Sequence, residues 1–355
     1  MRVDIQPFRL PLVEPLRTAR GTITHRDGLL FGLGDGHATG WGEATPMPGW
    51  SSHAIGTASD SLAAASAVLE LIADADDPRV EELLDDLEEV PHARAALAGA
   101  LADLRARRLG VPIAATLADA PANAVGVNAL ASASQPDDLA AECAAAVAAG
   151  FATVKLKVGA VDPGTDRIRI AVARDALGPG VVLRLDANGA WDVDTAVAVL
   201  HDAASHDIAW CEEPADGIGA IAAVGRRSAV PVAVDESARD VDDVARALGT
   251  RAIDVIVVKP QACGGPDLAV RAIRLAEQFG ATAVVTTMID GAIGVAHALH
   301  VAAICGADLA HGLATSSLLS DDVGPAPAVV AGRMTVPSGP GLGVIPRATL
   351  PGRHI

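Results

Sequence analysis

The chain has 355 residues, half of them hydrophobic, which is enough to bury a large core without disulfides or structural metals. Its 44 acidic residues outnumber its 27 lysines and arginines, and the net charge of −17 excludes a nucleic-acid-binding protein. No run of 18 apolar residues and no apolar leader is visible, so we expect a cytoplasmic protein without a membrane anchor.

The first 122 residues have the pattern of a small α+β domain. Short strands and turns are predicted up to about residue 57, because glycine and proline separate the hydrophobic runs there. From Ser59 the apolar residues recur at helical spacing, with a Ser or Asp as the expected N-cap. A second long helix, starting near His92, is predicted to end at Gly110, ahead of Pro112.

From Val125 the chain alternates β-branched runs with alanine-rich helical runs. Eight such units follow at steps of 23 to 31 residues, and their strands are continuous apolar runs, as expected of parallel strands buried on both faces. A closed barrel is favoured over a doubly wound sheet, since no GxGxxG motif opens the first unit. The residues that mark the carboxyl ends of the predicted strands are Asn128, Lys155, Asp186, Glu212, Asp235, Lys259, Thr286 and His311.

The last segment is rich in proline and glycine and too short to fold alone, so we expect it to return to the N-terminal domain. The predicted boundaries are 1–122 for the N-terminal domain, 123–323 for the barrel and 324–355 for the returning tail.

Lysine is the most informative residue type in this composition. The chain has 24 arginines but only three lysines, Lys155, Lys157 and Lys259. Lysine, unlike arginine, can lose its proton near neutral pH where its surroundings depress its pKa. A chain that otherwise uses arginine is expected to keep lysine for chemistry, so these three are the first catalytic candidates.

Charged residues collect at the predicted carboxyl ends of the strands, where a βα barrel carries its active site. Lys155 and Lys157 point to the same side of one strand, and repulsion between two ammonium groups lowers the pKa of one, which could then act as a general base. Asp186, Glu212 and Asp235 end three successive strands, and three converging carboxylates suit Mg²⁺ or Mn²⁺. A base beside such a metal predicts removal of a proton next to a carboxylate, with the metal holding the charge of the enediolate.

Five motifs, in order on successive predicted strands, resemble the enolase superfamily and in particular its muconate-lactonizing-enzyme subgroup: VKLKVG, LRLDANGAW, CEEP, VAVDES and VVKP. The resemblance covers nearly the whole chain. It implies an α/β fold, a (β/α) barrel of the modified TIM type with an N-terminal α+β capping domain completed by the C-terminal tail. Loops near Thr18–Thr24 and Glu43–His53 would close over the substrate.

The resemblance also implies the partners and a role for each site residue. Mg²⁺ (or Mn²⁺) would be the cofactor and a small carboxylic acid the substrate, and a homo-oligomer is possible. Lys157 would be the base, Lys155 the neighbour that tunes it, and Lys259 the group facing the substrate from the other side. The metal ligands would be Asp186, Glu212 and Asp235, supported by Asn188 and Glu236.

The segment of the eighth predicted strand bears on the reaction. Dipeptide epimerases usually place an Asp-x-Asp there, and AHGLATSSLLSDDV has no such pair beside His311 and Gly312. The segment resembles instead that of the o-succinylbenzoate synthases, which are dehydratases, and Thr286, Thr287 and Gly312 would then contact the succinyl end of the substrate. Racemization of N-succinylamino acids and muconate cycloisomerization remain open, as does a barrel that binds metal and acid without turnover.

Other residues near the predicted site have plainer interpretations. Trp50 and Trp191 could line the pocket or pack in the core. No histidine spacing suggests a metal pair, so His25, His53 and His311 are not expected to be ligands. The four cysteines are far apart and are predicted to be small packing residues.

Overall fold

The computed structural model describes residues 1–18 and 21–352 of the chain. Its N-terminal domain is an antiparallel sheet of order β1-β2-β3, on which helices pack. The elements of this domain are β1 (Arg2–Thr18), β2 (Gly21–Gly34), β3 (Thr39–Ala44), α1 (Ile55–Leu69), α2 (Pro78–Asp86), α3 (Pro91–Leu109) and α4 (Ile113–Leu117). No helix within the described ranges is long and apolar enough to cross a membrane.

The long helix α3 forms where the sequence predicts it. Pro91 occupies its first turn, and Gly110 ends it in the left-handed conformation, with φ of 72°. The sheet approaches this helix so closely that a Cβ at Gly42 would lie 1.8 Å from the carbonyl oxygen of Ala96. Glycine at position 42 therefore allows the sheet and α3 to share one core.

The barrel is formed by parallel strands that alternate with helices. Its strands are β4 (Ala124–Val127), β5 (Ala129–Ala131), β6 (Thr153–Lys157), β7 (Val182–Asp186), β8 (Ile208–Glu212), β9 (Val232–Val234), β10 (Val255–Val258), β11 (Thr282–Val285) and β12 (Ala310–His311). Its helices are α5 (Pro136–Ala148), α6 (Pro163–Leu177), α7 (Val193–Ala203), α8 (Ile218–Gly225), α9 (Val241–Gly249), α10 (Pro260–Cys263), α11 (Pro266–Phe279) and α12 (Ala292–Ala302). Buried Val, Leu, Ile and Ala fill the space between strands and helices.

The strands follow one another around the barrel in chain order. A seven-stranded parallel sheet runs from β5 to β11. The Gly312 N–H donates to the Val285 carbonyl at 2.9 Å, which joins β11 to β12, and β12 pairs with β4 in parallel. The chain is interrupted at Asn128, so β4 and β5 together take the place of the first predicted strand. The predicted fold class, a modified TIM barrel with a capping domain, is confirmed.

Several elements differ in extent from their predictions. The first two strands are longer than expected and form one hairpin, so the loop predicted near Thr18–Thr24 is wrong over Thr22–Thr24, which lies in β2. Residues 19 and 20 lie outside the described residues. Helix α1 begins at Ile55, and no side chain caps its amino end. Burial of Ala58 and Leu62 against the domain core extends the helix beyond the predicted cap at Ser59.

The C-terminal tail contacts both parts of the protein. Its hairpin, β13 (Val329–Val330) and β14 (Arg333–Thr335), adds to β4 of the barrel. Beyond it, the Leu342 N–H donates to Asp103 of α3 at 2.7 Å, and the Arg9 N–H donates to the Pro351 carbonyl at 3.0 Å. The tail therefore returns to the capping domain as predicted, after first extending the barrel. The boundaries at residues 122 and 323 stay a prediction.

Buried histidines of α12 connect the barrel to the capping domain and the tail. His300 is fully buried, its Nδ1 accepts from the Ala114 N–H at 3.2 Å, and its Nε2 donates to the Leu342 carbonyl at 3.1 Å. The Nε2 of His297 donates to the Trp41 carbonyl at 2.8 Å. Burial lowers the pKa of both imidazoles to about 4, so both are neutral in the folded protein at pH 7.

His300 should make stability depend on pH. Its folded-state pKa lies below the ordinary value of about 6.5, so the unfolded chain takes up a proton there first as the pH falls. We expect its contribution to the free energy of unfolding to be complete above pH 6.5 and to decline by roughly 3 kcal/mol as the pH falls to about 4.

Urea unfolding of the parent and His300→Gln at pH 7, 6 and 5 measures this contribution. The stability advantage of the parent should shrink as the pH is lowered. The exposed His37, replaced by Gln in the same way, is the control for loss of a surface histidine. A difference between parent and His300→Gln that does not vary with pH contradicts the prediction.

Candidate active site

The charged residues singled out in the sequence lie together at the carboxyl ends of the barrel strands. Lys157, Asp186 and Glu212 end β6, β7 and β8, while Asp235 and Lys259 directly follow β9 and β10. The parallel register places Lys157 beside Asp186, and Asp186 beside Glu212. The three acids thus lie between the lysine pair of β6 and the single lysine after β10.

The two lysines of β6 bind the same carboxylate. Lys155 Nζ lies 2.7 Å from Asp186 Oδ2 and 2.5 Å from Glu212 Oε1. Lys157 Nζ lies 2.5 Å from Asp186 Oδ2 and 2.8 Å from Asn188 Oδ1. The Lys157 side chain is 31% exposed and that of Lys155 only 15%, so Lys157 is the more accessible of the two from the barrel mouth.

The third lysine lies on the other side of the acids, under a residue of the capping domain. Lys259 Nζ donates to Asp235 Oδ1, and the Trp50 ring centroid is 4.8 Å from the same nitrogen. Trp50 belongs to the segment Glu43–His53, which the sequence predicts to lie over the substrate. A cation at this distance from an indole ring is stabilised by the ring quadrupole.

Burial and charge act against each other in this cluster. Burial alone would lower the pKa of Lys155, but the charges of Asp186, Glu212 and Asp235 outweigh it and raise that pKa above its ordinary value. Burial, followed by the charges of the neighbouring acids, raises the pKa of Glu212 well above its usual range, whereas two lysines hold the pKa of Asp186 below its usual range. The expected depression of a lysine pKa by lysine–lysine repulsion is therefore not found at Lys155, because the charges of the surrounding carboxylates outweigh the effects that lower its pKa.

Polar residues around the acids fix their positions. Glu213 Oε2 accepts from the Asp235 N–H at 2.8 Å, and its other oxygen accepts from the Ser237 hydroxyl. Asn188 Nδ2 donates to Glu236 Oε1 at 2.8 Å, which links Lys157 to the loop after β9. The roles of Glu213 and Ser237 were not predicted from the sequence. The only indication of these roles in the sequence is that both residues lie close to candidate ligands in the CEEP and VAVDES motifs.

The donor set suits a divalent metal, although each carboxylate is paired with a lysine. Within residues 1–18 and 21–352, no three His, Cys, Asp or Glu side chains are grouped as a metal site. Asp186, Glu212 and Asp235 are nevertheless hard oxygen donors at three consecutive strand ends. In the part of the chain that the structure describes, Glu236 Oε2 is buried without a hydrogen-bond partner, and burial, then the Asp235 charge, raises the pKa of Glu236. This excess of buried negative charge fits the residues to a cation.

The predicted substrate contacts directly follow the last two barrel strands, β11 and β12. The hydroxyl of Thr286 is buried and has no hydrogen-bond partner in the described part of the chain. Thr287 Oγ1 lies 2.6 Å from Thr315 Oγ1 and donates to the Gly312 carbonyl at 3.3 Å. Of the two threonines, Thr286 is therefore the one whose hydroxyl has no partner among the described residues and is available to a substrate.

A buried ion pair holds the backbone at Lys157 and Gly159. Arg169 pairs with Asp166 at 2.7 Å and donates from Nη2 to the Lys157 carbonyl at 2.9 Å. Asp166 in turn accepts from the Gly159 N–H at 2.7 Å. Because both side chains are buried, this pair fixes the end of β6 and with it the position of Lys157.

The remaining candidates have structural surroundings. Trp191 is buried in the barrel core, whereas Trp50 lines a cavity beside Lys259 and Asp235. His311 Nδ1 accepts from the Val285 N–H at 3.0 Å, and His25 and His53 lie outside the acid cluster, in contact with Thr24 and Ser52. All four cysteines are free, and Cys143, Cys211 and Cys263 are buried.

Two family models together match most of the chain. Residues 2–117 match the mandelate racemase / muconate lactonizing enzyme N-terminal domain. Residues 138–349 match the enolase C-terminal domain-like family.

Known proteins similar to the chain share its fold but differ in activity. The chain is 38% identical over 202 residues to o-succinylbenzoate synthase of Thermobifida fusca, a match that covers 56% of this chain and 62%, less than two thirds, of that protein. It is 30% identical to muconate cycloisomerase 1 of Rhodococcus opacus, over 96% of this chain and 94% of that protein. The substrate-liganded L-Ala-D/L-Glu epimerase from Bacillus subtilis superposes with a TM-score of 0.88 at 27% identity, covering 98% of this chain and 99% of that chain. Similarity alone therefore does not choose the reaction.

Proposed function

This chain belongs to the mandelate racemase and muconate lactonizing enzyme family of the enolase superfamily, and we propose that it is an o-succinylbenzoate synthase. The enzyme removes the proton α to the carboxylate of 2-succinyl-6-hydroxy-2,4-cyclohexadiene-1-carboxylate. The neighbouring hydroxyl leaves as water, and the ring becomes aromatic in 2-succinylbenzoate. The proposed setting is menaquinone biosynthesis in the cytoplasm.

The proposed roles follow the two sides of the site. Lys157, the more accessible lysine of β6, takes the α-proton and returns it to the departing hydroxyl. Lys155 stays between Asp186 and Glu212 and holds both carboxylates in place. Lys259, fixed between Asp235 and Trp50, presents a positive charge to the opposite side of the substrate.

Three carboxylates and the polar side chains next to them form the proposed metal site. Asp186, Glu212 and Asp235 would hold Mg²⁺ or Mn²⁺, with Asn188 and Glu236 orienting them. The bound metal would neutralise the substrate carboxylate and the enediolate charge that develops on it.

The observation that favours dehydration over dipeptide epimerization is the segment after β12. It has no acidic pair beside Gly312, and its two nearest acids are engaged elsewhere. Asp322 accepts from the Ala292 N–H at 2.8 Å at the start of α12, and Asp321 pairs with Arg347 at 2.7 Å. A substrate ammonium group therefore has no carboxylate to bind on this strand.

Racemization of N-succinylamino acids is the second candidate. Lysines on both sides of the acid cluster are what a racemase needs, since the proton must return from the face opposite to its removal. Muconate cycloisomerization is a further alternative, supported by the nearly full-length relative. A barrel that binds metal and acid without turnover is the remote alternative.

A panel of carboxylic acids tests the proposal. The purified protein with Mg²⁺ is assayed on the cyclohexadiene substrate, N-succinylamino acids, muconate and dipeptides. We expect the highest kcat/KM for aromatization of the cyclohexadiene substrate, followed by ultraviolet absorbance. Higher kcat/KM on another class overturns the assignment, and absence of α-proton exchange with deuterated solvent for all of them indicates a non-catalytic barrel.

A further inference from the structure

Arg239 is an arginine beside the acid and lysine cluster. It lies between β9 and α9, half-buried, and its Nε donates to the Glu236 carbonyl at 3.0 Å. In the described part of the chain, its two terminal nitrogens make no hydrogen bond, and its guanidinium makes no ion pair. The nearby acid Asp243 accepts from the Arg239 backbone N–H and pairs through its side chain with Arg246 instead.

Two other arginines that are largely buried, Arg94 and Arg169, are matched with acids. Arg94 binds Asp267 with two hydrogen bonds, at 3.1 and 2.9 Å, and Arg169 binds Asp166 at 2.7 Å. A guanidinium offers five N–H donors in a fork that fits a carboxylate, and the outer part of this fork in Arg239 is not used by the described residues. The unused donors of Arg239 are therefore available to a ligand.

Arg239 lies beside two charged residues of the candidate active site. Arg239, Trp50, Lys259 and Asp235 line the same narrow cavity. The guanidinium carbon of Arg239 lies 4.8 Å from the Trp50 ring centroid, and Lys259 Nζ lies 4.8 Å from the same centroid. The two cations thus lie within twice that distance of each other.

We propose that Arg239, supported on the Trp50 ring, binds a second carboxylate of the substrate, remote from the reacting carbon. This inference rests on the proposed function and specifies its substrate class: an acid with two carboxylates, such as a succinylated one. An ammonium group at the remote end, as in a dipeptide, would meet Arg239 and Lys259 with like charge and be disfavoured.

Through the contact between Trp50 and Arg239, the capping domain contributes to the selection of substrates with a second carboxylate. Stacking on the indole fixes the plane of the guanidinium, because the local turn holds only Nε. The segment that carries Trp50 is itself anchored, since the Thr45 carbonyl accepts from Arg26 at 2.6 Å and the Thr45 N–H donates to Gln261 at 2.8 Å. Trp50 is therefore a positioning residue for Arg239.

Binding of two probes that differ only at the remote end tests the inference. Calorimetry with Mg²⁺ present measures Kd for 2-succinylbenzoate and for 2-butyrylbenzoate, in which a methyl group replaces the remote carboxylate. We expect the parent to bind the succinyl compound about 10 to 100 times more tightly, as for a charge-assisted hydrogen bond. In Arg239→Gln this preference should vanish, with little change for the butyryl compound. Arg239→Lys keeps the positive charge but lacks the forked N–H donors of the guanidinium, so part of the preference for the succinyl compound should remain.

Arg226→Gln is the matched control, because it removes an exposed positive charge away from the cavity and should keep the full preference. A parent without preference, or an Arg239→Gln variant that keeps it, overturns the inference. Equal loss of affinity for both probes in Arg239→Gln also overturns it, since that indicates a structural role. If the preference depends on Arg239 but the cyclohexadiene substrate is not dehydrated, only the proposed reaction fails.

Discussion

Lys157→Ala is expected to abolish both dehydration and exchange of the α-proton with solvent. General base catalysis by a positioned side chain contributes about 10²–10⁴-fold, so kcat should fall by at least the lower of these factors. Lys157 is the accessible lysine beside the acid cluster, and Asp186 keeps Lys155 as a partner when Lys157 is removed. The measurement is the rate of aromatization together with deuterium incorporation into a slow substrate such as an N-succinylamino acid.

Variants of Lys259 distinguish two possible roles of this residue. It either supplies only a positive charge or transfers a proton as a second acid or base. Lys259→Arg keeps the positive charge but cannot give up its proton, whereas Lys259→Ala loses both properties. For a dehydratase we expect measurable activity in Lys259→Arg and a much larger loss in Lys259→Ala. If both variants are equally inactive while they still bind 2-succinylbenzoate, Lys259 transfers a proton and the racemase assignment takes precedence.

A folded Lys157→Ala protein with parental activity contradicts the assignment of the base. Thermal unfolding of each lysine variant supplies the control for structural damage. Lys259 is the more deeply buried of the two, with 11% of its side chain exposed, so its alanine variant needs this control most.

Removal of the metal is the second change with a large expected effect. EDTA should reduce activity to background, and added Mg²⁺ or Mn²⁺ should restore it, because three carboxylates at consecutive strand ends are the proposed ligands. Asp186→Asn and Asp235→Asn should each lower kcat by several orders of magnitude at saturating Mg²⁺. Full activity in excess chelator contradicts the proposed cofactor.

The same two variants should differ in stability in the absence of metal. In Asp186→Asn, Lys155 keeps Glu212 and Lys157 keeps Asn188. In Asp235→Asn, Lys259 loses its carboxylate partner, and breaking a buried pair costs about 3–5 kcal/mol. Urea unfolding in EDTA should therefore show a larger loss for Asp235→Asn. Equal losses in the two variants contradict the ion-pair arrangement described for the site.

The barrel and the positions of the main charged residues of the site could be predicted from the amino-acid sequence alone. Continuous Val- and Leu-rich runs at nearly regular steps specify parallel strands, and the residue that ends such a run must lie at the carboxyl edge. Lys157, Asp186 and Glu212 could therefore be placed beside one another without coordinates, as could the helix end at Gly110. These features depend on residues that are close together in the chain, so the pattern of residues in the sequence predicts them.

The tertiary structure was needed to identify which charged side chains form ion pairs and which have no such partner among the described residues. The pairing of Lys155 with two carboxylates depends on three strands, and it reverses the pKa change expected from Lys157 alone. Arg239 has no motif, and its unused donors become visible only because Trp50 from the capping domain packs against it. Contacts between residues far apart in the chain are set by packing of whole elements, and short-range patterns carry no information about them.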